Sequence, residues 1–167
     1  METTINIAKR KEAIKILKDF KENHYKNRLI QIINVHLKNV NDFYGKKIFL
    51  KDDCVVESDT LWEIMQPLNT LEHHHSHDLD EKEIFNVLFG VKKPLEVKES
   101  YYGRFVIITI VLEKHGYNLC AVIQPNVLNK DLNKKINKLI TIHPFEIKKE
   151  EQSSSNLHFA TLARGSW

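Results

Sequence analysis

Four of the nine histidines in this chain fall within the stretch LEHHHSHDLD, residues 71–80: His73, His74, His75 and His77. Imidazole is the side chain whose ordinary pKa, about 6.5, lies closest to neutrality. It can carry a proton in either direction, bind a metal through a neutral ring nitrogen, or change charge with pH. Adjacent residues seldom all converge on one ion, so a metal would take two or three of them, with His73, His75 and His77 the natural set and Asp78 or Asp80 adding oxygen. No Cys/His pair stands at finger spacing, and the two cysteines, Cys54 and Cys120, form no C-x-x-C pair. The expectation is therefore no metal and no other cofactor, with both cysteines as structural thiols of a reducing compartment.

Proton transfer is the stronger reading of the cluster. Cleaving RNA without a metal needs a base for the 2′-hydroxyl, an acid for the leaving oxygen and a donor or cation for the phosphate. His75 or His77 and His143 supply the acid and base. Arg104, one of four arginines, begins the longest β-branched run and suits two-pronged phosphate binding. In KLITIHPF, Thr141 and His143 are two apart, so on a strand they share one face. Near the C-terminus, His158, Thr161 and Arg164 form another polar set. A solvated loop, a strand-end ion pair and the polar face of an edge strand are the plain alternatives for these groups.

These residues need elements to position them. Residues 4–22 and 25–41 each carry an apolar stripe at helical spacing, Ile7, Ala13, Ile14, Leu17 and Phe20 in the first and Leu29, Ile30, Ile33, Leu37 and Val40 in the second, and predict two helices. Asn41–Gly45 reads as a stop and turn, 46–57 as short strands, and SDTLWEIMQPL as a helix ended at Pro67. DLDEKEIFNVLFG has Asp78 or Asp80 as N-cap, acids in its first turn and Gly90 just past its end. Thereafter the period changes: PLEVKES, GRFVIITIVLE (103–113), YNLCAVIQP and KLITIHPFEI (138–147) read as strands, the middle two as a hairpin. The expected architecture is α+β, with N-terminal helices packed on a C-terminal antiparallel β-sheet of about four strands. A chain of 167 residues suits a single domain, with 1–42 a helical lead, 46–90 a mixed segment holding the His-rich loop and 91–167 the sheet.

From residue 71 onward, the order of HHHSHDLDEKEIFNVLFGVKKPLEV, GRFVIITIVLEKHGYNLCAVIQ and KLITIHPF resembles the barnase–EndoU–colicin–RelE-like nuclease superfamily, in particular its phage-associated branch. The resemblance covers about residues 71–147 and rests on order and spacing. It implies that His75 or His77 is the histidine before the short helix, that Arg104 binds phosphate, and that Thr141 and His143 are the polar pair of the late strand, where such domains tend to carry Tyr in place of His143.

Charge is uneven: residues 1–40 are net +5, 41–90 net −7 and 91–167 net +5. The basic ends could track a phosphate backbone, and the acidic middle third could dock a basic partner. With no apolar run of ~18 residues and no signal-peptide pattern, a cytoplasmic protein that does not enter a membrane is expected. The leading expectation is a small metal-independent endoribonuclease, a toxin or mobile-element protein, acting on RNA through His75 or His77, His143, Arg104 and Thr141. The rival is a non-catalytic interaction protein (an immunity protein, an inhibitor or a phage accessory factor) acting on a protein partner.

Overall fold

A computed structural model describes residues 3–67, 77–113 and 116–145. Its elements follow the chain as β1 (Thr3–Asn6), α1 (Arg10–Glu22), β2 (Leu29–Ile33), α2 (Leu37–Tyr44), β3 (Cys54–Glu57), α3 (Ser58–Ile64), α4 (Glu81–Gly90), β4 (Glu96–Glu99), β5 (Phe105–Leu112), β6 (Asn118–Asn129) and β7 (Lys134–Phe145). The fold is α+β, as expected, but the sheet is larger and mixed. It has seven strands in the order β1-β2-β3-β7-β6-β5-β4. The β1/β2 and β3/β7 pairs are parallel and the others antiparallel. No described helix is long and apolar enough to cross a membrane.

Two of the strands lie where helices are expected, within residues 1–42. Ile5 and Ile7 are buried two apart, and so are Ile30 and Ile32, which is the strand period. Their neighbours at i+3 and i+4 made both segments look helical. The breaks come from asparagine and histidine instead of glycine or proline: Asn27, Asn34 and His36 adopt left-handed backbone, with φ of 57°, 63° and 33°. Asparagine tolerates that conformation better than most residues because its short polar side chain bonds locally.

The helices the punctuation marks most strongly are present. Asp80 caps α4: its carboxylate accepts from the Glu83 N–H at 2.7 Å, while Glu83 accepts from the Asp80 N–H at 2.9 Å. This is a capping box. Gly90 is the last helical residue, not the residue beyond the end. Asp80→Ala is expected to cost about 1 kcal/mol of stability, read as a shift in urea midpoint at unchanged slope. Ser58 and Asp59, by contrast, do not cap α3, whose cap position is Glu57. They tie down the preceding connection: the Ser58 hydroxyl accepts from the Arg28 N–H, and Asp59 accepts from the Asn27 N–H and bonds the His24 ring at 2.8 Å.

All four helices place their buried side chains in one large apolar cluster on one face of the sheet, with Ile30, Ile32, Cys54, Val56, Ile107, Leu119, Ala121 and Ile142 as its floor. The other face carries a smaller cluster made of strand residues alone: Val106, Ile108, Cys120, Val122 and Phe145, with Ile140 against it. The β6–β7 hairpin is longer than the separate strands expected there, and LNKDLNKKINKL supplies its turn and the first part of β7.

Candidate functional site

On the helix-free face, β5, β6 and β7 align Ile108, Cys120 and His143 in one row and Val106, Val122 and Thr141 in the next. Cys120 and His143 are cross-strand partners, equidistant from the turn after Asn129. The Cys120 Sγ lies 3.5 Å from His143 Nε2. His143 Nδ1 lies 2.8 Å from the Pro144 carbonyl, so Nδ1–H is the donor there. His143 is 4% exposed and Thr141 1% exposed. The Thr141 hydroxyl has no hydrogen-bond partner among the described residues, although a buried hydroxyl ordinarily finds one.

His77 approaches this pair from the connection before α4. Its ring centroid lies 5.5 Å from that of His143, with the planes tilted by 40°. The backbone holds it there: the His77 and Leu79 N–H groups donate to the Ile64 carbonyl at the end of α3, and Asp78, in left-handed conformation, donates to Gln66. Leu79 is buried and the capping box starts one residue later, so His77 is clamped from both sides. It is half-buried, the most accessible member of the His77–Thr141–His143–Cys120 group.

Arg104 stands apart. It precedes β5 by one residue, four positions before Ile108. At ~3.3 Å per residue and ~4.8 Å per strand, its backbone lies about 16 Å from that of His143. Alternation along β5 puts it on the same face as Val106 and Thr141. Its guanidinium lies over Tyr102, 5.5 Å from the ring centroid, and its Nε is buried without a partner. Arg104 Nε and Thr141 Oγ1 are the two unpartnered buried side-chain polar atoms among the described residues. Of the other expected site residues, His73, His74 and His75 lie outside the described residues, as do His158, Thr161 and Arg164. Among the described residues no group of three His, Cys, Asp or Glu is arranged to hold a metal.

Cys120 was not among the sequence candidates. The signal for it is the symmetric hairpin: taking residues 130–133 as the turn pairs Cys120 with His143. Neither cysteine is a nucleophile at neutral pH. Burial pushes the Cys120 thiol far up and the Cys54 thiol up to about 12, the latter helped by neighbouring Asp53. A thiol that stays protonated in the fold but ionises near pH 9 when unfolded stabilises the native state less as pH rises. Stability is thus expected to fall above about pH 9 by up to ~1.4 kcal/mol per pH unit per thiol, levelling off for Cys54 past its folded value. Urea midpoints across that range should decline less steeply in Cys54→Ala.

Many acids of the middle third are engaged in local structure. Asp52 and Asp53 bond the Lys38 N–H and the Gln31 amide. Asp59 and Asp80 hold the backbone contacts described above. Glu57 and Glu81 pair with Lys138 and Lys21 at 3.4 and 3.9 Å. Comparison of the chain with family models, with curated proteins and with solved structures returned no match.

Proposed function

We propose that the chain is a small metal-independent endoribonuclease whose proton-transfer pair is His77 and His143. The observation that carries this reading is the convergence of the two rings, from positions 66 apart in sequence, beside a buried threonine hydroxyl with no partner among the described residues. His77, nearer solvent, exchanges protons with the 2′-hydroxyl or the leaving oxygen, and His143 serves the opposite step. The Thr141 hydroxyl donates to a phosphate oxygen. Arg104, at about 16 Å by strand geometry, holds a flanking phosphate of the same strand and not the scissile one. The resemblance of residues 71–147 to the barnase–EndoU–colicin–RelE-like nucleases points to the same chemistry and to a toxin or mobile-element role.

Total RNA incubated with the protein over a range of pH, with chelator present, should be cleaved. Intact RNA throughout would overturn the reading. Thr141→Val gives a second test. Replacing a buried unpartnered hydroxyl by a methyl of the same shape is expected to leave stability equal or higher, while RNA cleavage falls. Unchanged cleavage would remove Thr141 from the mechanism.

One observation favours the rival reading, a non-catalytic immunity, inhibitor or accessory protein: His143 and Thr141 are 4% and 1% exposed, which shuts the pair from bulk solvent. On that reading His77→Ala leaves the biological effect intact, and the protein is recovered with a stoichiometric basic partner.

A further inference from the structure

At the opposite end of β7 from His143, the turn end of the β6–β7 hairpin and the segment before β3 enclose a cavity of about 260 Å³. Lys51, Lys134 and Lys135 line it, together with the amides of Gln31, Asn126 and Asn137. The Asn137 amide donates to the Lys51 and Asp53 carbonyls, at 3.2 and 2.9 Å, and so ties the two walls together. Asp53, which also lines it, already accepts from Gln31 at 2.8 Å. An adjoining cavity of about 640 Å³ shares Leu50 with the first and is lined by Lys38, Lys46 and Lys47. All six lysines are exposed, and none forms an ion pair with a described residue. Against them stand the two acids that line these cavities, Asp42 and Asp53. Folding has thus assembled a basic surface from two segments nearly a hundred residues apart, one of them inside the third of the chain that is acidic overall.

We infer that this surface is an anchoring site for the phosphate backbone of single-stranded RNA. The Lys51–Lys134–Lys135 cavity seats one phosphate, the Asn126 amide and the second Gln31 amide N–H donate to its non-bridging oxygens, and Lys38, Lys46 and Lys47 continue the track. Gln31 is the cross-strand partner of Val55, which is itself in register with Lys138, so the cavity borders the sheet face that carries Thr141 and His143. Nine residues of β7 separate Lys134 from His143, about 30 Å at ~3.3 Å per residue. An RNA held at both ends therefore spans several nucleotides. This inference rests on the endoribonuclease reading for its choice of RNA, but it is measured by binding and not by cleavage.

The test is fluorescence anisotropy with a labelled 2′-O-methyl oligouridylate, which has no free 2′-hydroxyl to attack. Lys51→Glu, Lys134→Glu and Lys135→Glu combined change exposed side chains only, and circular dichroism checks that the fold is retained. The triple variant is expected to bind about tenfold or more weakly at ~0.1 M salt, with a log–log salt slope shallower by about 0.7, the contribution of the one single-strand phosphate that this cavity seats. Unchanged affinity and slope would overturn the inference, as would absence of binding by the wild type at low salt. RNA bound through these lysines by a protein that cleaves none would overturn the nuclease reading and leave the anchoring site standing. Cleavage with lysine-independent binding would do the reverse.

Discussion

His77→Ala and His143→Gln are each expected to lower RNA cleavage by about 10²- to 10⁴-fold, the span that positioned acid–base groups contribute. The two should not be additive, because base and acid act as a unit on one cleavage and losing either disables it. His77 is half-buried and its backbone is hydrogen-bonded to the end of α3, so its alanine variant should keep the fold and the RNA affinity of the lysine surface. His143 is buried against Cys120, and glutamine keeps a polar group toward the Pro144 carbonyl while removing the titratable ring. The pH–rate profile is the more telling readout: loss of one limb in each variant identifies acid and base, whereas a uniform drop marks a structural role. Arg104→Ala, about 16 Å away by strand geometry, is expected to raise KM with kcat nearly unchanged. If either histidine variant retains wild-type cleavage, the assigned pair is wrong.

The second large effect concerns stability. Asn41 lies inside α2, and its side chain serves three backbone groups of the segment that follows: Oδ1 accepts from the Ile48 and Phe49 N–H groups at 2.9 and 2.8 Å, and Nδ2 donates to the Phe49 carbonyl at 2.6 Å. This fastens Phe49, fully buried and edge-on to Phe105 at 6.1 Å, into the large core cluster. Asn41→Leu keeps the branched outline and removes all three bonds. At about 1 kcal/mol each, and more where a buried group is left unsatisfied, the loss is about 3 kcal/mol or greater. For a chain of this size that lowers Tm by roughly 6–12 °C. A change below about 1 kcal/mol would mean that water replaces the side chain at all three positions.

Asn41 also shows how a local reading goes astray. In sequence, Asn41–Gly45 looks like a stop and turn. In the fold the helix runs through it to Tyr44, and Gly45 alone takes the left-handed end position with φ of 84°. The turn propensity of asparagine was real, but it is spent on the backbone of residues 48–49 and not on its own. The same confusion of scale hid β1 and β2. They have four and five residues, with one buried side chain in β1 and two in β2, too few to assert a period of two beside the longer helical stripes around them.

What the amino-acid order determined by itself is what depends on near neighbours. The Asp80–Glu83 box starts α4, the β-branched run at 105–112 makes a strand, and YNLCAVIQP returns as its hairpin partner. The candidates for chemistry, His77, Arg104, Thr141 and His143, follow from residue type and from alternation along strands. What only the tertiary structure decided is which of them meet. The single parallel contact of Val55 with Lys138 joins the N-terminal strands to the C-terminal meander and makes one seven-stranded sheet of them. The end of α3 then fixes His77 against His143, Arg104 is left two rows away, and lysines 38–51 face lysines 134–135. Such pairings depend on closing long loops and on burying one apolar face against another. Those free energies belong to the whole chain, and no window of ten residues contains them.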